Sequence, residues 1–492
     1  MLEEIFIVNK QFENFLEKKD KYIYAILKYV FDHETPMITY EELCEVVDLS
    51  ALTLHDSIKE LKEITRQLDT EDSLRIEIES PSCYHFYKTA NFTVDYYFSF
   101  LLQRSQYYII LMSLFRGDQR TIEDFANKLF ISKSSAIRKI HYLKENLLHF
   151  RLKMGKKDKK YILIGEEEKI RYFYFLLFKI SRRNYFFPDE MKRISEDVKE
   201  LYSDITQNTL ENFLYFLYIS KFRCNHGFYI RNNLEYFQVT NRLFSLEDFE
   251  KNIKRHFCIS QYQENIVKNE MACLYFFIST DDLLTIETTL SVSSYLSPYI
   301  LKNQYFILGN TIVYHVSKYF DIKFTPEEYF FLGANFYIMM KKNKIFYYYY
   351  LDNPPIDNPL ERYVRAIFHK FADYFEKETG YKLPLPVDYL QEILFEILSK
   401  KGSQITVMVY STLGDRSKEI IEQKIANIAS VPIVFVNRLD QKPRIVISDR
   451  YINLCKDISI FYINNYFFNS EISLASEFIE EIYFKGKVSE LK

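Results

Sequence analysis

The 492-residue sequence has no tryptophan, only ten glycines and only twelve prolines. So few breaking residues predict long helices joined by short loops, a mostly α chain. Cysteine is scarce and scattered, at 44, 83, 224, 258, 273 and 455, with no CxxC pair. That spacing resembles neither a disulfide nor a zinc framework and predicts reduced, mostly buried thiols in a cytosol. No apolar run reaches the roughly 18 residues of a membrane span. The nearest, Tyr96 to Phe115, is interrupted by Gln103-Arg104-Ser105-Gln106. Leu2 to Lys10 mixes Glu3, Glu4 and Lys10 into its apolar residues, which does not fit a secretory signal. The expected location is therefore the cytoplasm, with no membrane partner. What is abundant is aromatic: 42 Tyr and 44 Phe, within a 48% apolar content that suffices for well-buried cores. The length predicts about three to five domains.

The most informative stretch runs from Thr121 to Gly165. Thr121 with Asp124 three residues on reads as a capping box that starts a helix. Phe125, Ala126 and Leu129 share one face of it, Phe130-Ile131 makes a turn, and Ser132 caps a second helix. In that second helix Ala136, Ile137, Ile140, Leu143 and Leu147 are expected to face inward, leaving Ser134, Ser135, Arg138, Lys139, His141 and Tyr142 for the other faces. Phe150 to Ile164 then alternates around a Gly155-Lys-Lys-Asp-Lys-Lys160 tip, as a hairpin does. Together these are a winged helix-turn-helix.

Charge decides how that motif is used. Residues 131–160 hold ten Lys/Arg against two Asp/Glu, whereas the whole chain carries −3. A local positive field on an acidic protein is the footprint of a nucleic-acid reader. The plainer alternative is a solvated basic face on a helical hairpin.

A weaker copy precedes it. Thr39, Glu42, Leu43, Val47, Leu49, Ser50, Leu54, Ile58 and Leu61 recur 82 positions later as Thr121, Asp124, Phe125, Leu129, Ile131, Ser132, Ala136, Ile140 and Leu143. A hairpin follows here too, with Leu74, Ile76 and Ile78 alternating before Pro81-Ser82. Asp56 and Ser57 stand where the second copy has Arg138 and Lys139, and Asp56 would repel a phosphate. The second unit is therefore expected to be the principal reader. Residues 91–118 read as one aromatic helix joining the two, its Tyr/Phe stripe a core surface.

From Glu166 to about residue 400 the chain reads as all-α bundles. Helix starts are expected at Ser245-Leu-Glu-Asp248 and Thr325-Pro-Glu-Glu328, and a loop from Asp352 to Pro359. No nucleophile–base pair, phosphate loop or metal-spaced cluster is evident, so no catalytic role, cofactor or metal is expected. Residues 402–492 change character. Short strands at Ile405–Val409, Ile433–Val436 and Ile445–Ile447, a helical stretch at Lys418–Ile428 and an amphipathic helix at Ser473–Phe484 predict a small α/β domain with a mainly parallel sheet.

This order of parts resembles the Mga/AtxA family, cytoplasmic virulence-type transcription regulators of Gram-positive bacteria. The resemblance spans nearly the whole chain. Gly165-Glu-Glu-Glu-Lys-Ile-Arg171 is similar to the junction after the wing, while Arg223-Cys-Asn-His-Gly227 and Gly380-Tyr-Lys-Leu-Pro384 echo two phosphotransferase-system regulation domains. The last domain resembles a sugar-system IIB component. The resemblance implies five parts: a first winged unit (1–90), a connecting helix with the main winged unit (91–165), two regulation-like helical domains (166–285 and 286–400) and a IIB-like domain (401–492).

Departures accompany it. The loop after the first IIB-like strand offers Ser411 and Thr412 but no nucleophilic cysteine, which implies docking or dimerisation in place of phosphotransfer. By the spacing of the resemblance, Phe216, Phe277 and Leu394 or Phe395 occupy positions where relatives keep histidines, and His315 alone matches as a phosphorylation candidate. The functional expectation is a non-catalytic, double-stranded-DNA-binding transcription regulator acting as a homodimer or larger assembly, with sugar-system phosphocarrier proteins as further candidate partners. The expected DNA contacts are Lys133, Ser134, Ser135, Arg138, Lys139 and His141 on the helix, Lys153, Lys156, Lys157, Lys159 and Lys160 on the wing, and Lys59 in the first unit. A phosphocarrier and an RNA-binding antiterminator are the alternatives.

Overall fold

The computed structural model describes residues 12–33, 35–47, 50–80, 83–118, 120–181, 189–201, 205–232, 246–257, 263–281, 303–346, 359–384, 390, 394, 404–412, 414–452, 458–463 and 469–490. They fall into two compact units, residues 1–282 with 342–351, and residues 283–341 with 352–492.

The first unit opens with the two winged units in tandem. Helix α1 (Lys18–Asp32) leads to strand β1 (Met37–Thr39), helices α2 (Tyr40–Val47) and α3 (Ala51–Gln67), and strands β2 (Leu74–Ser80) and β3 (Cys83–Lys88). The strands form an antiparallel sheet in the order β1-β3-β2. Pro81-Ser82, Leu49 and the N-terminal segment expected to lack a leader lie outside the described residues. The expected single connecting helix is two: α4 (Val94–Arg104) and α5 (Gln106–Phe115). Ser105 breaks it, with extended backbone, its hydroxyl donating to the Phe15 carbonyl and accepting from Tyr107 N–H. The polar interruption is thus an anchor point: Arg104 pairs with Asp20 and Glu60, and Gln103 Nε2 donates to the Ser181 carbonyl at 2.7 Å. The aromatic stripe is core as expected, with Tyr97, Phe98, Leu101, Leu111 and Phe115 buried.

The second winged unit uses α5 as its first helix, then α6 (Ile122–Lys128), α7 (Lys133–Leu148) and the hairpin β4 (Lys153–Lys157) and β5 (Lys160–Ile164). A bridge between Arg120 and Tyr161 stands where the first unit has β1. The 82-residue repeat therefore extends from helix caps to sheet topology.

Helix α8 (Glu167–Ile180) starts three residues after the wing. With α9 (Asp189–Leu201), α10 (Gln207–Asn225), α11 (Leu246–Ile253) and α12 (Glu264–Thr280) it builds the aromatic helical part. The expected start at Ser245 agrees with α11, although Ser245 itself is outside the described residues. Phe216 and Phe277 stack face to face, 4.1 Å between centroids with 2° between planes. Phe175 and Phe346 pack on them edge-on. A buried charged knot ties α8 to its neighbours. Arg171 is fully buried, donates to Glu167 at 3.1 Å and forms a bidentate pair with Glu270. Arg223 donates to both oxygens of Glu167 at 2.8 and 2.7 Å. Burial alone would raise the Glu167 carboxyl, but these guanidinium groups hold it below the usual range.

The second unit contains α13 (Gln304–Phe320), α14 (Pro326–Phe346, whose residues from Lys342 belong to the first unit) and α15 (Pro359–Thr379). The Thr325 start is found, Thr325 and Glu328 exchanging backbone and side-chain hydrogen bonds as a capping box. Helices α13 and α14 approach closely at Gly309 and Gly333, where an added Cβ would lie 2.8 Å and 2.2 Å from the facing helix. The loop expected from Asp352 to Pro359 lies mostly outside the described residues, as does Phe395; Leu394 is buried. The C-terminal sheet is parallel throughout, ordered β7 (Ile433–Val436), β6 (Ile405–Tyr410), β8 (Ile445–Ser448), β9 (Ser459–Tyr462). Helices α16 (Asp415–Ile428) and α17 (Asn469–Glu490) pack with it, and α15 also rests on α17. Strand β9 was not anticipated. The described structure is mostly helical with a small parallel sheet, as composition and periodicity indicated. None of its helices is long and apolar enough to cross a membrane.

Candidate nucleic-acid interface

Helix α6 is started by a complete capping box. Asp124 N–H donates to Thr121 Oγ1 at 3.3 Å, and Thr121 N–H donates to Asp124 Oδ2 at 2.8 Å. These bonds hold the Asp124 carboxyl below the usual range. The helix ends in a Schellman turn: Ile131 N–H reaches the Ala126 carbonyl and Phe130 N–H the Asn127 carbonyl. The left-handed residue such a turn requires is Phe130, at φ 54° and 95% exposed. Ser132 caps α7, accepting from Ser135 N–H at 3.2 Å.

On α7, Ala136, Ile140, Leu143 and Leu147 are buried as expected. Ile137 is not; it is half exposed. The other four already complete an i, i+4, i+7, i+11 stripe, so a fifth apolar residue one position off it turns outward. Ser134, Ile137, Arg138 and His141 therefore share the solvent face. Lys133 is exposed and pairs with Glu123 of α6. Ser135 is half buried at the cap and accepts from Arg138 Nη2 at 3.2 Å. His141 is exposed, 3.4 Å from Glu145.

Lys139, expected to point outward, points inward. Its ammonium lies on the Glu17 carboxylate and 4.3 Å from the centre of the Tyr107 ring. Tyr142 also packs, against Tyr107, and accepts from Lys21 Nζ at 3.1 Å. The helix sits in an angle of the fold, so one flank that sequence leaves free is covered by the segment before α1.

The wing turn is tighter than the Gly155–Lys160 tip. Lys157 pairs with Lys160, and only Asp158 and Lys159 turn, both with positive φ, as a two-residue hairpin of type I′ requires. Gly155 lies within β4, where a Cβ would meet the Ile164 side chain at 2.3 Å. Lys153, Lys156, Lys157, Lys159 and Lys160 are all exposed, with Lys156 lying 4.8 Å over the Tyr161 ring.

Residues 90–178 match the Mga helix-turn-helix domain family. No curated protein matches the chain. The matched segment covers α4 through most of α8, so it takes in the second winged unit and the charged junction behind it, and leaves the first winged unit outside.

The first winged unit repeats the frame without the charge. Its equivalent helix α3 presents Leu52, Asp56 and Lys59 at the positions of Ser134, Arg138 and His141, all three exposed. Ser57, the counterpart of Lys139, is buried and donates to the Thr53 carbonyl. Residues 49–78 hold four Lys/Arg and seven Asp/Glu, against ten and two at 131–160.

His315 in the second unit is buried on α13 among Tyr314, Tyr374 and Phe375. Its Nδ1 has no hydrogen-bond partner among the described residues. After β6, Ser411 and Thr412 hydroxyls and Thr412 N–H all donate to the Asp449 carboxylate, at 2.8 to 3.1 Å. Gly227 and Gly380, from the two regulation-like motifs, both have positive φ at helix ends.

Proposed function

We propose that this chain is a DNA-binding transcription regulator of the Mga type whose reading head is the second winged unit. The observation that carries the proposal is the solvent face of α7, bearing Ser134, Ile137, Arg138 and His141, continuous in sequence with an exposed lysine wing and lying within the Mga-type segment. In this reading the N-terminal half of α7 enters the major groove. Arg138 contacts a phosphate or a guanine edge, Ser134 donates to the backbone, and Ile137 meets a thymine methyl. Lys133 joins them once the duplex displaces Glu123. Lys153, Lys157, Lys159 and Lys160 neutralise the flanking backbone, and Lys156 extends them along the tyrosine. Lys139 leaves the contact set. Lys59 is a minor contact at most, because Asp56 precedes it on the same face. Few side chains reach the bases, so duplex shape carries part of the specificity.

No catalytic step is proposed. The hydroxyls and amide that follow β6 are already engaged by Asp449, which argues against a phosphoryl group in that loop. The second unit then serves regulation or self-association, with a homodimer placing two reading heads on successive half-sites.

The test is a mobility-shift or anisotropy titration of the full chain against fragmented genomic duplex at several salt concentrations, with hairpin RNA as competitor. Combined Lys157→Ala, Lys159→Ala and Lys160→Ala should flatten the salt slope by about three. An unchanged slope would reject the wing as a contact, and preference for RNA would reject the DNA reading. Light scattering on the same samples reads the assembly.

A further inference from the structure

The hairpin of the first winged unit carries a cluster of donors that the reading head does not use. Strands β2 and β3 pair Glu77 with His85 and Ile78 with Tyr84, then shift register so that Ser80 faces Cys83. The shift adds Glu79 as one extra residue on β2, a bulge that re-aims its side chain. Cys83 and His85 are two apart on β3 and so share the outer face. His85 Nε2 lies 2.8 Å from Glu79 Oε2 and 3.8 Å from Cys83 Sγ. One ligand atom from each of the three falls within 4.8 Å of the others. The imidazole lies nearly parallel to Tyr87 and offset from it, 6.0 Å between ring centres and 14° between planes, and the Arg75 guanidinium sits 4.7 Å from the centre of the Tyr87 ring.

We propose that Glu79, Cys83 and His85 form a Zn²⁺ site, with water in the fourth position. Thiolate, imidazole and carboxylate together select a borderline ion such as zinc, whereas magnesium and calcium take oxygen-only sets. Zinc bonds of about 2.0–2.3 Å in a tetrahedron need ligand atoms roughly 3.3–3.8 Å apart. The Cys83–His85 spacing meets this, and the Glu79–His85 hydrogen bond opens by about half an ångström to admit the ion. His85 then carries its proton on Nδ1. Burial and the Glu79 charge raise the Cys83 thiol, so binding releases one proton from sulfur to solvent. Glu79 is already ionised, held below the usual carboxylate range by the bond from His85. Glu79 is two-thirds exposed, which leaves the entry path open.

The site escapes the usual sequence signals because its ligands sit on a bulged hairpin. Cys83-x-His85 alone is too short to read as a zinc motif, and the third ligand becomes a neighbour only through the register shift.

The experiment uses the full chain, reduced and stripped of metal by chelator, titrated with Co²⁺ and then Zn²⁺. One equivalent of Co²⁺ should give a single-thiolate charge-transfer band with tetrahedral d–d absorption, and Zn²⁺ should displace it. Cys83→Ser and His85→Gln should each abolish that equivalent, while Cys44→Ser leaves it intact. Glu79→Gln, at an exposed position where folding is not at stake, should weaken zinc affinity by more than the roughly tenfold that loss of a hydrogen-bond partner behind a ligand costs. A band that persists in Cys83→Ser, no stoichiometric uptake by the parent, or unchanged affinity in Glu79→Gln would overturn the site.

Discussion

Lys139 donates to both carboxylate oxygens of Glu17, at 2.9 and 2.8 Å. Glu17 also accepts from Gln106 N–H at 3.1 Å, where α5 begins. One carboxylate thus holds α7 to α5. Lys139→Ala should therefore destabilise the first unit by about 1–3 kcal/mol through loss of charge-assisted bonds. It should leave the salt dependence of DNA binding unchanged. Arg138→Ala should do the reverse, keeping the unfolding midpoint and lowering the salt slope by about one. Urea melts beside binding titrations check both; a larger binding loss in Lys139→Ala would return that residue to the interface.

Phe130 occupies a backbone conformation that a side chain resists. Phe130→Gly should raise stability by roughly 1 kcal/mol, because glycine enters the left-handed region without the steric penalty. Thermal or urea unfolding reads the gain. A loss instead would mean that the exposed ring makes a stabilising contact in the assembled protein.

His315 gives a pH dependence with a definite sign. Burial lowers its pKa from 6.5, Lys318 adds to the effect, and Glu378 opposes it. The unfolded chain then binds the proton more readily than the folded one. Stability of the second unit is fully present above pH 6.5 and falls as pH drops below that value toward the folded pKa. His315→Leu should remove this step. His315→Asp should not imitate a phosphorylated state, since it buries an unpaired carboxylate, and should cost about 3 kcal/mol or more. A melt showing His315→Asp as stable as the parent would reopen the phosphorylation reading.

The Arg171–Glu270 pair is completely buried. Removing one partner, as in Glu270→Ala, should cost about 3–5 kcal/mol, because the buried guanidinium then keeps only Glu167 as a charged partner, with the Phe228 carbonyl beside it. Joint replacement by Arg171→Met and Glu270→Leu should recover most of that loss. A double-mutant cycle measured by unfolding decides whether the two act as a pair.

Much of this was legible in sequence for physical reasons. Capping boxes at Thr39, Thr121 and Thr325 depend on residues three apart, and helix stripes on local period, so both survive without knowledge of the fold. The parallel sheet followed from short apolar strands separated by helical stretches. What sequence could not supply was tertiary. Lys139 looks like any surface lysine until Glu17, 122 residues away, is seen beside it. Ile137 fits a helical apolar pattern until the four-residue stripe beside it proves sufficient. Strand β9 has no alternating pattern of burial, its residues being only partly covered. Glu79, Cys83 and His85 meet through a bulge, a feature with no compositional mark.

The junction behind the wing sets a limit on how the head can be controlled. Strand β5 ends at Ile164 and α8 begins at Glu167, which pairs with Arg223 while Arg171 pairs with Glu270. A hinge needs slack, and here the chain has two residues of it before a locked helix. The wing is thus coupled closely to α8. In the proposed reading, a signal reaching the helical part of this unit would move the second winged unit together with α8, altering where it stands on a duplex more than its own shape.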